Sequence, residues 1–195
     1  EWANHYDWQS DLYVELMGLF ESRGKRIGMF AFSTGNPSIG VSDSAPSVVM
    51  PKFLRCLTLA KARGHYLTTH EYGLEGTLRN TSNDNVLRYR RLYQNHLVPN
   101  GADCKLIISE AGQNNGGHFV GTQSFIADYT WYDAELMRDS YVAGAACWTL
   151  GQTEAWRGAN IQDALPALAE YIVTHPDTPP EPLPIPPPTQ RGNPR

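Results

Sequence analysis

The sequence predicts an α/β protein of the (β/α)8-barrel type, on three observations. Short apolar segments with the composition of buried parallel strands alternate with segments of helical periodicity. The strand-like segments begin about 40 residues apart, which leaves room for one crossover helix between each pair. Each segment also has its polar side chains at its carboxyl end, where barrel enzymes place their active sites. The predicted strands are Arg26–Thr34, His65–Gly73, Lys105–Gly112 and Ala143–Gly151.

A doubly wound parallel sheet fits the same alternation, and the polar residues decide between the two folds. The glycine-rich phosphate loops that favour a nucleotide-binding sheet, GxGxxG and GxxxxGK[ST], do not occur. The strand ends instead bring together residues that suit an active site in a barrel. These residues are Ser33, His70, Glu71, Tyr72, Glu110 and Trp148.

Five helices are predicted around the strands. The first has Leu12, Leu16, Leu19 and Phe20 on one face, and the second has Phe53, Leu57 and Ala60 before a C-terminal Gly64. The other three are predicted at Asn85–His96 after the capping residues Ser82–Asp84, at Asp133–Tyr141, and from Pro166 with Leu168 and Ile172 on one face.

The composition changes sharply near His175, which predicts two regions. Residues 1–175 have the pattern of the barrel domain. Residues 176–195 are rich in proline and favour an extended polyproline II conformation. We predict that this tail is a semi-rigid linker or a disordered extension that is dispensable for folding, with a proline-rich ligand for a partner domain as the alternative.

Charge and hydropathy exclude several classes of partner. The chain of 195 residues has 16 basic and 20 acidic side chains, a formal net charge of −4, which argues against a nucleic-acid groove. No segment approaches the roughly 20 apolar residues that span a bilayer, so no membrane span is predicted. The sequence starts without methionine, so localisation is not read from its N-terminus. An extracellular or cell-envelope location is favoured.

The cysteines predict no metal site. Cys56, Cys104 and Cys147 are far apart in the sequence, and no CxxC or HExxH pattern is present. Their apolar neighbours favour buried free thiols, with a single long-range disulfide as the alternative.

Glu110 is the strongest candidate for a catalytic residue. It ends the apolar strand segment Leu106–Gly112, where an unpaired charge would cost several kcal/mol unless polar groups surround it. His70 and Tyr72 lie on one face of the preceding predicted strand, and the Tyr72 hydroxyl is placed to donate to Glu110. The structural alternatives are a salt bridge from Glu110 to an arginine, and a packed histidine and tyrosine.

Aromatic and amide side chains near the strand ends suit carbohydrate binding. Trp148 ends the last predicted strand and Trp156 follows in its loop, so both can stack on the apolar face of a sugar ring, although either could be a packing residue. The amides proposed to bind sugar hydroxyls are Asn36, Asn114 and Gln152.

These motifs together resemble the large clan of retaining (β/α)8-barrel glycoside hydrolases that contains many cellulases and β-glycosidases. His70-Glu71-Tyr72 resembles the motif that ends strand six in that clan. Ile108–Gly112 is similar to the strand-seven segment with the nucleophilic glutamate, and Cys147-Trp148 is similar to the end of strand eight. Glu1-Trp2 looks like the remainder of the Asn-Glu-Trp acid/base motif after strand four, although that Asn is not in the chain.

The resemblance implies the C-terminal half of a barrel, about strands five to eight, and a retaining O-glycosidase acting on a β-linked oligo- or polysaccharide. Glu110 would be the nucleophile and Glu1 the acid/base, with carboxyl groups about 5–5.5 Å apart. No metal or organic cofactor is implied. The implied partners are a carbohydrate substrate and either a missing N-terminal half-barrel or a second copy of the chain.

Two other function classes remain open on the sequence alone. One is a non-catalytic carbohydrate-binding barrel tethered by the proline-rich tail. The other is a barrel enzyme of different chemistry, such as an aldolase or isomerase. Against a Schiff-base aldolase, all four lysines lie away from the predicted carboxyl ends of strands. They are Lys25, Lys52, Lys61 and Lys105.

Overall fold

The computed structural model is an α/β fold with a four-stranded parallel sheet. It describes residues 2–42, 45–73, 76–79, 85–113, 117–151 and 154–175. The strands β1 (Gly28–Phe32), β4 (Tyr66–Tyr72), β5 (Lys105–Gly112) and β6 (Val142–Cys147) lie side by side in that order. A small antiparallel pair, β2 (Gly40–Ser42) and β3 (Ala45–Pro46), lies in the connection after β1. The predicted α/β class and the four parallel strands are confirmed.

Two predicted strands are shorter than expected. β1 does not extend to Thr34, and β6 stops at Cys147 rather than Gly151. Trp148 therefore lies just beyond the end of β6, although its backbone N–H still donates to the carbonyl oxygen of Ala111, 2.7 Å away. Both predicted strands were too long because the strand-like sequence continues beyond the last residue that is hydrogen-bonded to a neighbouring strand.

Helices cover one face of the sheet. They are α1 (Trp2–Glu21), α2 (Pro51–Arg63), α3 (Arg88–Leu92), α4 (Thr122–Leu136) and α5 (Leu165–Thr174). After α3 the chain continues through a π-helical turn, Tyr93–Leu97, and a 3₁₀ turn, Val98–Asn100. Further 3₁₀ turns, Glu154–Ala159 and Gln162–Ala164, precede α5. None of the described helices is long and apolar enough to cross a membrane.

The prediction of a helix at Asp133–Tyr141 was wrong in its bounds. The helix is α4, which starts after Gly121 and ends at Leu136. Its buried residues recur along one face, and Met137–Tyr141 instead form the turn that enters β6. These buried residues are Phe125, Asp128, Tyr129, Tyr132 and Leu136. The aspartate and tyrosines in that stripe hid its amphipathic pattern.

The predicted apolar face of α1 is buried only in part, through Leu16, which packs against the core. Met17 is fully buried and Tyr13 packs edge-on against Phe30, whereas Leu12 and Leu19 are 38% and 43% exposed. The helix turns its Met17 face toward α2 and β1, because that is where the packed aromatic side chains lie. Within the described residues, the other face of α1 remains exposed. Ile172 on α5 is likewise 59% exposed.

The core lies between the sheet and α2, α3 and α4. Leu67, Leu106 and Ile108 are fully buried on the helix-facing side of β4 and β5. Phe53 of α2 packs edge-on against Phe32 of β1, with ring centroids 4.9 Å apart. Burying a large apolar side chain contributes about 1.5–3 kcal/mol, so this layer is the main source of stability.

All three cysteines are free, as the sequence favoured. Cys56 and Cys104 are buried and Cys147 is half-buried. Burial raises the pKa of the Cys56 and Cys104 thiols to about 12 and that of Cys147 to about 11. They are therefore protonated packing residues near neutral pH. The predicted proline-rich tail, 176–195, lies outside the described residues.

Candidate functional site

The carboxyl ends of β4 and β5 bring three predicted site residues together. In the register of these strands His70 pairs with Glu110, and Tyr72 pairs with Gly112. The Nδ1 atom of His70 lies 3.1 Å from Oε2 of Glu110. The Tyr72 hydroxyl donates a hydrogen bond to the same oxygen. The contact between Tyr72 and Glu110 that the sequence predicted is therefore present.

A bulge in β5 turns Glu110 toward His70. Leu106 and Ile108 face the helices, so strict alternation would point residue 110 to the helices as well. The pairing instead moves from Thr69–Ile108 to His70–Glu110, which leaves Ser109 as the extra residue. Bulges of this kind re-aim side chains beside functional sites. Glu110 consequently lies on the face of the sheet away from the helices and is reachable by a ligand.

The electrostatics of the cluster make Tyr72 a hydrogen-bond donor. Burial, together with the hydrogen bond to Glu110 and the charge of that carboxylate, raises the pKa of Tyr72 well above its usual value. The phenol therefore stays protonated and points its proton at Oε2. The side chains of His70 and Glu110 are 19% and 27% exposed, so the cluster is neither closed off nor fully hydrated.

Gly112 provides the space for the Tyr72 ring. A Cβ atom at this position would lie 2.6 Å from Cε1 of Tyr72 and 3.4 Å from Cβ of Trp148. A side chain at position 112 would push the Tyr72 ring of β4 away from the end of β5, against which it packs. The absence of a side chain at Gly112 is thus part of what positions Tyr72 against Glu110.

We expect Gly112→Ala to displace the Tyr72 ring and break its hydrogen bond to Glu110, because Cε1 of a rigid ring cannot tolerate a methyl group at 2.6 Å. The free energy of unfolding should fall by about 1–3 kcal/mol. The phenol absorbance of Tyr72 should then titrate at lower pH than in the wild type, as seen by ultraviolet difference spectroscopy against Tyr72→Phe. Identical titrations of the wild type and the variant would contradict this.

Two tryptophans extend the cluster into an aromatic corner. The ring centroids of Tyr72 and Trp148 are 6.3 Å apart with planes at 84°. Those of Trp148 and Trp156 are 5.4 Å apart with planes at 87°. Trp156 is 44% exposed, so its ring offers a flat apolar surface next to Trp148. The Trp148–Thr149 peptide bond is cis.

The loops that follow β4, β5 and β6 touch one another around this corner. The N–H of Phe119 donates to the carbonyl oxygen of Gly158, 2.6 Å away. A Cβ atom on Gly76 would lie 3.9 Å from Cγ1 of Val120. The loops after β4, β5 and β6 therefore contact one another at the carboxyl end of the sheet.

Of the remaining predicted site residues, only Asn36 is among those that the structure describes. Asn36 is exposed in the turn after β1, where its backbone N–H donates to the carbonyl oxygen of Ser33, and no described contact joins it to Glu110. Glu1, Asn114 and Gln152 lie outside the described residues, so the separation of the Glu1 and Glu110 carboxyl groups is not defined. Among the residues that the structure describes, no three His, Cys, Asp or Glu side chains gather as a metal site.

Two buried carboxylates lie near the site: Asp128, which the sequence reasoning missed, and Glu71, which it placed among the strand-end residues without assigning it a role. Asp128 of α4 accepts hydrogen bonds from the backbone N–H of Leu78 (2.6 Å) and from the amide of Gln113 (2.8 Å). Glu71 lies between His70 and Tyr72 and is 1% exposed. The sequence does contain a signal for Glu71, because it is a charged residue at a position that faces the helices in an otherwise buried strand.

Comparison with protein-family models, with curated protein sequences and with solved structures finds no match for this chain.

Proposed function

We propose that this chain is part of a retaining glycoside hydrolase that cleaves β-linked oligo- or polysaccharides. The observation that supports it most is the hydrogen-bonded cluster at the carboxyl ends of β4 and β5. There Glu110 faces away from the helix layer, with Tyr72 and His70 on one of its oxygens. Trp148 lies edge-on to Tyr72 and Trp156 lies edge-on to Trp148, and we assign both rings as surfaces for a sugar ring.

In this proposal Glu110 is the nucleophile. The Tyr72 hydroxyl and Nδ1 of His70 both contact Oε2, so we assign the attack on the anomeric carbon to Oε1. The bond from the anomeric carbon to the leaving oxygen breaks as the glycosyl ester forms, and a second carboxylic acid protonates that oxygen. Water, deprotonated by the same second carboxylate, then hydrolyses the ester. The resemblance assigns this acid/base role to Glu1.

His70 and Tyr72 hold the nucleophile in place during both steps. Glu110 loses its negative charge when the glycosyl ester forms. The Tyr72 hydroxyl and the His70 imidazole can then shift at Oε2 without a large rearrangement of the site. The tryptophans bind the apolar face of the sugar, and we assign its hydroxyl groups to Asn36, Asn114 and Gln152.

A covalent trap tests the proposal directly. The full-length protein is incubated with an aryl 2-deoxy-2-fluoro-β-glycoside, whose ester intermediate is long-lived, and its peptides are analysed by mass spectrometry. We expect the fluoroglycosyl mass on the peptide that contains Glu110, and no label in Glu110→Gln. Label on another residue, or turnover of the parent aryl glycoside without any label, would overturn the assignment.

The second candidate function is carbohydrate binding without catalysis. The perpendicular Trp148–Trp156 pair favours it, because aromatic corners bind sugars without needing a nucleophile. Calorimetry with oligosaccharides separates the two functions. Binding that is lost in Trp156→Ala, combined with no turnover of any aryl glycoside, would support the binding module.

We also propose that the four parallel strands form half of a (β/α)8 barrel. In such a barrel one helix covers each gap between neighbouring strands. The three gaps between the four strands are matched by α2, the helical segment 88–100 and α4, while α1 packs against α2 and α5 against α4 at the two ends of the sheet.

This arrangement favours a different polypeptide segment over a second copy as the missing half. If two copies closed one barrel, α5 of one copy and α1 of the other would compete for the same gap. A segment with four parallel strands and three helices leaves one helix for each gap. We therefore propose such a segment as the partner that completes the barrel.

Without that partner, we expect the chain to associate into open oligomers rather than closed dimers. The outer edges of β1 and β6 are both unpaired in the described sheet, and Gly144, Ala145 and Ala146 are exposed on β6. Sedimentation velocity at increasing concentration should show a continuing rise in mean mass. A monodisperse, thermally stable monomer, or one stable dimer, would contradict the half-barrel proposal.

A further inference from the structure

Glu71 links the end of β4 to two helices. Its side chain points to the face opposite His70 and Tyr72, into the helix layer. There the carboxylate accepts hydrogen bonds from the Tyr132 hydroxyl (2.7 Å) and from the backbone N–H of Leu87 (2.8 Å). The N–H of Tyr89 lies farther away, at 3.5 Å.

These partners make Glu71 the acceptor at the start of α3. Leu87 has a left-handed conformation (φ 57°) and provides no side-chain cap for the helix that begins at Arg88. The first N–H groups of a helix lack partners within the helix, and here a carboxylate from a strand accepts them. Tyr132 ties the same carboxylate to α4. One buried group therefore joins β4, α3 and α4.

The surroundings of Glu71 contain several ionisable groups. Burial raises its pKa to about 7, and the hydrogen bonds from Tyr132 and from the start of α3 oppose this rise. The titratable groups that interact with it are Tyr132 of α4, Tyr89 of α3 and Tyr141 before β6, with Arg90 and Asp139 beyond Tyr89. Arg88 contributes its backbone N–H, while its guanidinium donates to the carbonyl oxygen of Pro37. Both charge states of Glu71 are therefore accessible near neutral pH.

We propose that Glu71 is a positioning residue for the His70–Tyr72–Glu110 cluster, and that its charge state shifts the end of β4 that carries His70 and Tyr72. Calling the cluster catalytic rests on the proposed function, whereas the coupling itself does not. Successive strand residues share peptide planes, so a movement of Glu71 toward or away from α3 turns His70 and Tyr72 in the opposite direction.

The ionised and protonated forms of Glu71 differ in the hydrogen bonds that they can make. The carboxylate can accept from Leu87 and Tyr132 together. A proton on Oε2 makes the Tyr132 hydroxyl turn and accept, or leaves the N–H of Leu87 without its partner. A proton on Oε1 instead turns that oxygen from an acceptor for the N–H of Tyr89 into a donor that faces it. Either change alters the spacing between β4 and the helix layer, and Tyr72 transmits it to Glu110 through their hydrogen bond.

The test is an NMR titration of the chain labelled with ¹³C at glutamate Cδ and histidine Cε1, from about pH 5 to about pH 9. Single replacements assign Glu71, Glu110 and His70. In the wild type we expect the Glu110 and His70 signals to show an inflection at the pH at which Glu71 itself titrates. In Glu71→Gln that inflection should be absent. No substrate is added, so failure of the glycosidase proposal would leave this result unchanged.

Asp128→Asn is the matched control, because Asp128 is a similarly buried carboxylate that anchors Leu78 and Gln113 rather than β4. It should leave the inflection in place. Tyr132→Phe removes one donor while keeping the carboxylate, and should move the inflection to higher pH. Superimposable Glu110 and His70 curves in the wild type and Glu71→Gln would overturn the proposal. If Glu71→Gln does not fold, an unmoved inflection in Tyr132→Phe would overturn it equally.

Discussion

Glu110→Gln is expected to lower kcat/KM of the full-length protein for an aryl β-glycoside by at least about 10³-fold, since removing a covalent nucleophile costs this much or more. An amide cannot form the glycosyl ester. It can still accept hydrogen bonds from Tyr72 and His70, so the fold and the binding of substrate should change little. Initial rates across substrate concentration should show the loss in kcat rather than in KM.

A rescue experiment separates loss of the nucleophile from loss of structure. In Glu110→Ala, azide can occupy the vacated space and attack the anomeric carbon from the same side, giving an α-glycosyl azide from a β-glycoside. Glu170→Gln, an exposed carboxylate on α5, is the matched control and should keep wild-type rates. Activity in Glu110→Gln within about tenfold of the wild type would contradict the nucleophile assignment.

The four strands could be predicted because their signal is local. Each is a short segment of strand-like composition, and His70 and Tyr72 follow from the alternation along β4. The orientation of Glu110 could not be predicted, because the extra residue at Ser109 is set by pairing between β4 and β5 and not by either segment alone. The site thus depends on an irregularity that a strict two-residue period misses.

The helices were harder to predict, because their buried faces contain polar residues with tertiary partners. Asp128 lies in the buried stripe of α4, where backbone N–H groups from the loop after β4 compensate its burial. The start of α3 depends on Glu71, a residue 17 positions before Arg88 in the sequence. Such partners come from other elements, so helical periodicity alone did not place these helix ends.

The second large expected effect is on the free energy of unfolding, and it comes from the buried carboxyl group of Glu71. Its pKa in the folded protein, about 7, lies above the ordinary value of 4.5, so folding favours the protonated form. The contribution of a group with a raised acid pKa is fully present below about pH 4.5 and is lost as the pH rises through about 7. The free energy of unfolding of the wild type should therefore include a contribution from Glu71 that decreases between about pH 4.5 and about pH 7.

Two substitutions at this position should act in opposite directions. Glu71→Gln stays neutral and still offers an oxygen to Leu87, so above about pH 7 it should unfold at higher urea than the wild type. Glu71→Leu leaves the Leu87 N–H and the Tyr132 hydroxyl buried without an acceptor, at about 1–3 kcal/mol each. It should therefore be less stable than Glu71→Gln by about 2–6 kcal/mol at every pH.

Urea unfolding followed by tryptophan fluorescence, at protein concentrations below the onset of association and at several values from about pH 5 to about pH 8, measures these effects. The difference in stability between Glu71→Gln and the wild type should grow as the pH rises, while Glu170→Gln should follow the wild-type curve. Parallel pH profiles for the wild type and Glu71→Gln would show that Glu71 keeps its ordinary pKa. In that case the buried carboxylate would be ionised throughout this range, and α3 and α4 would be tied to β4 by a permanent charge.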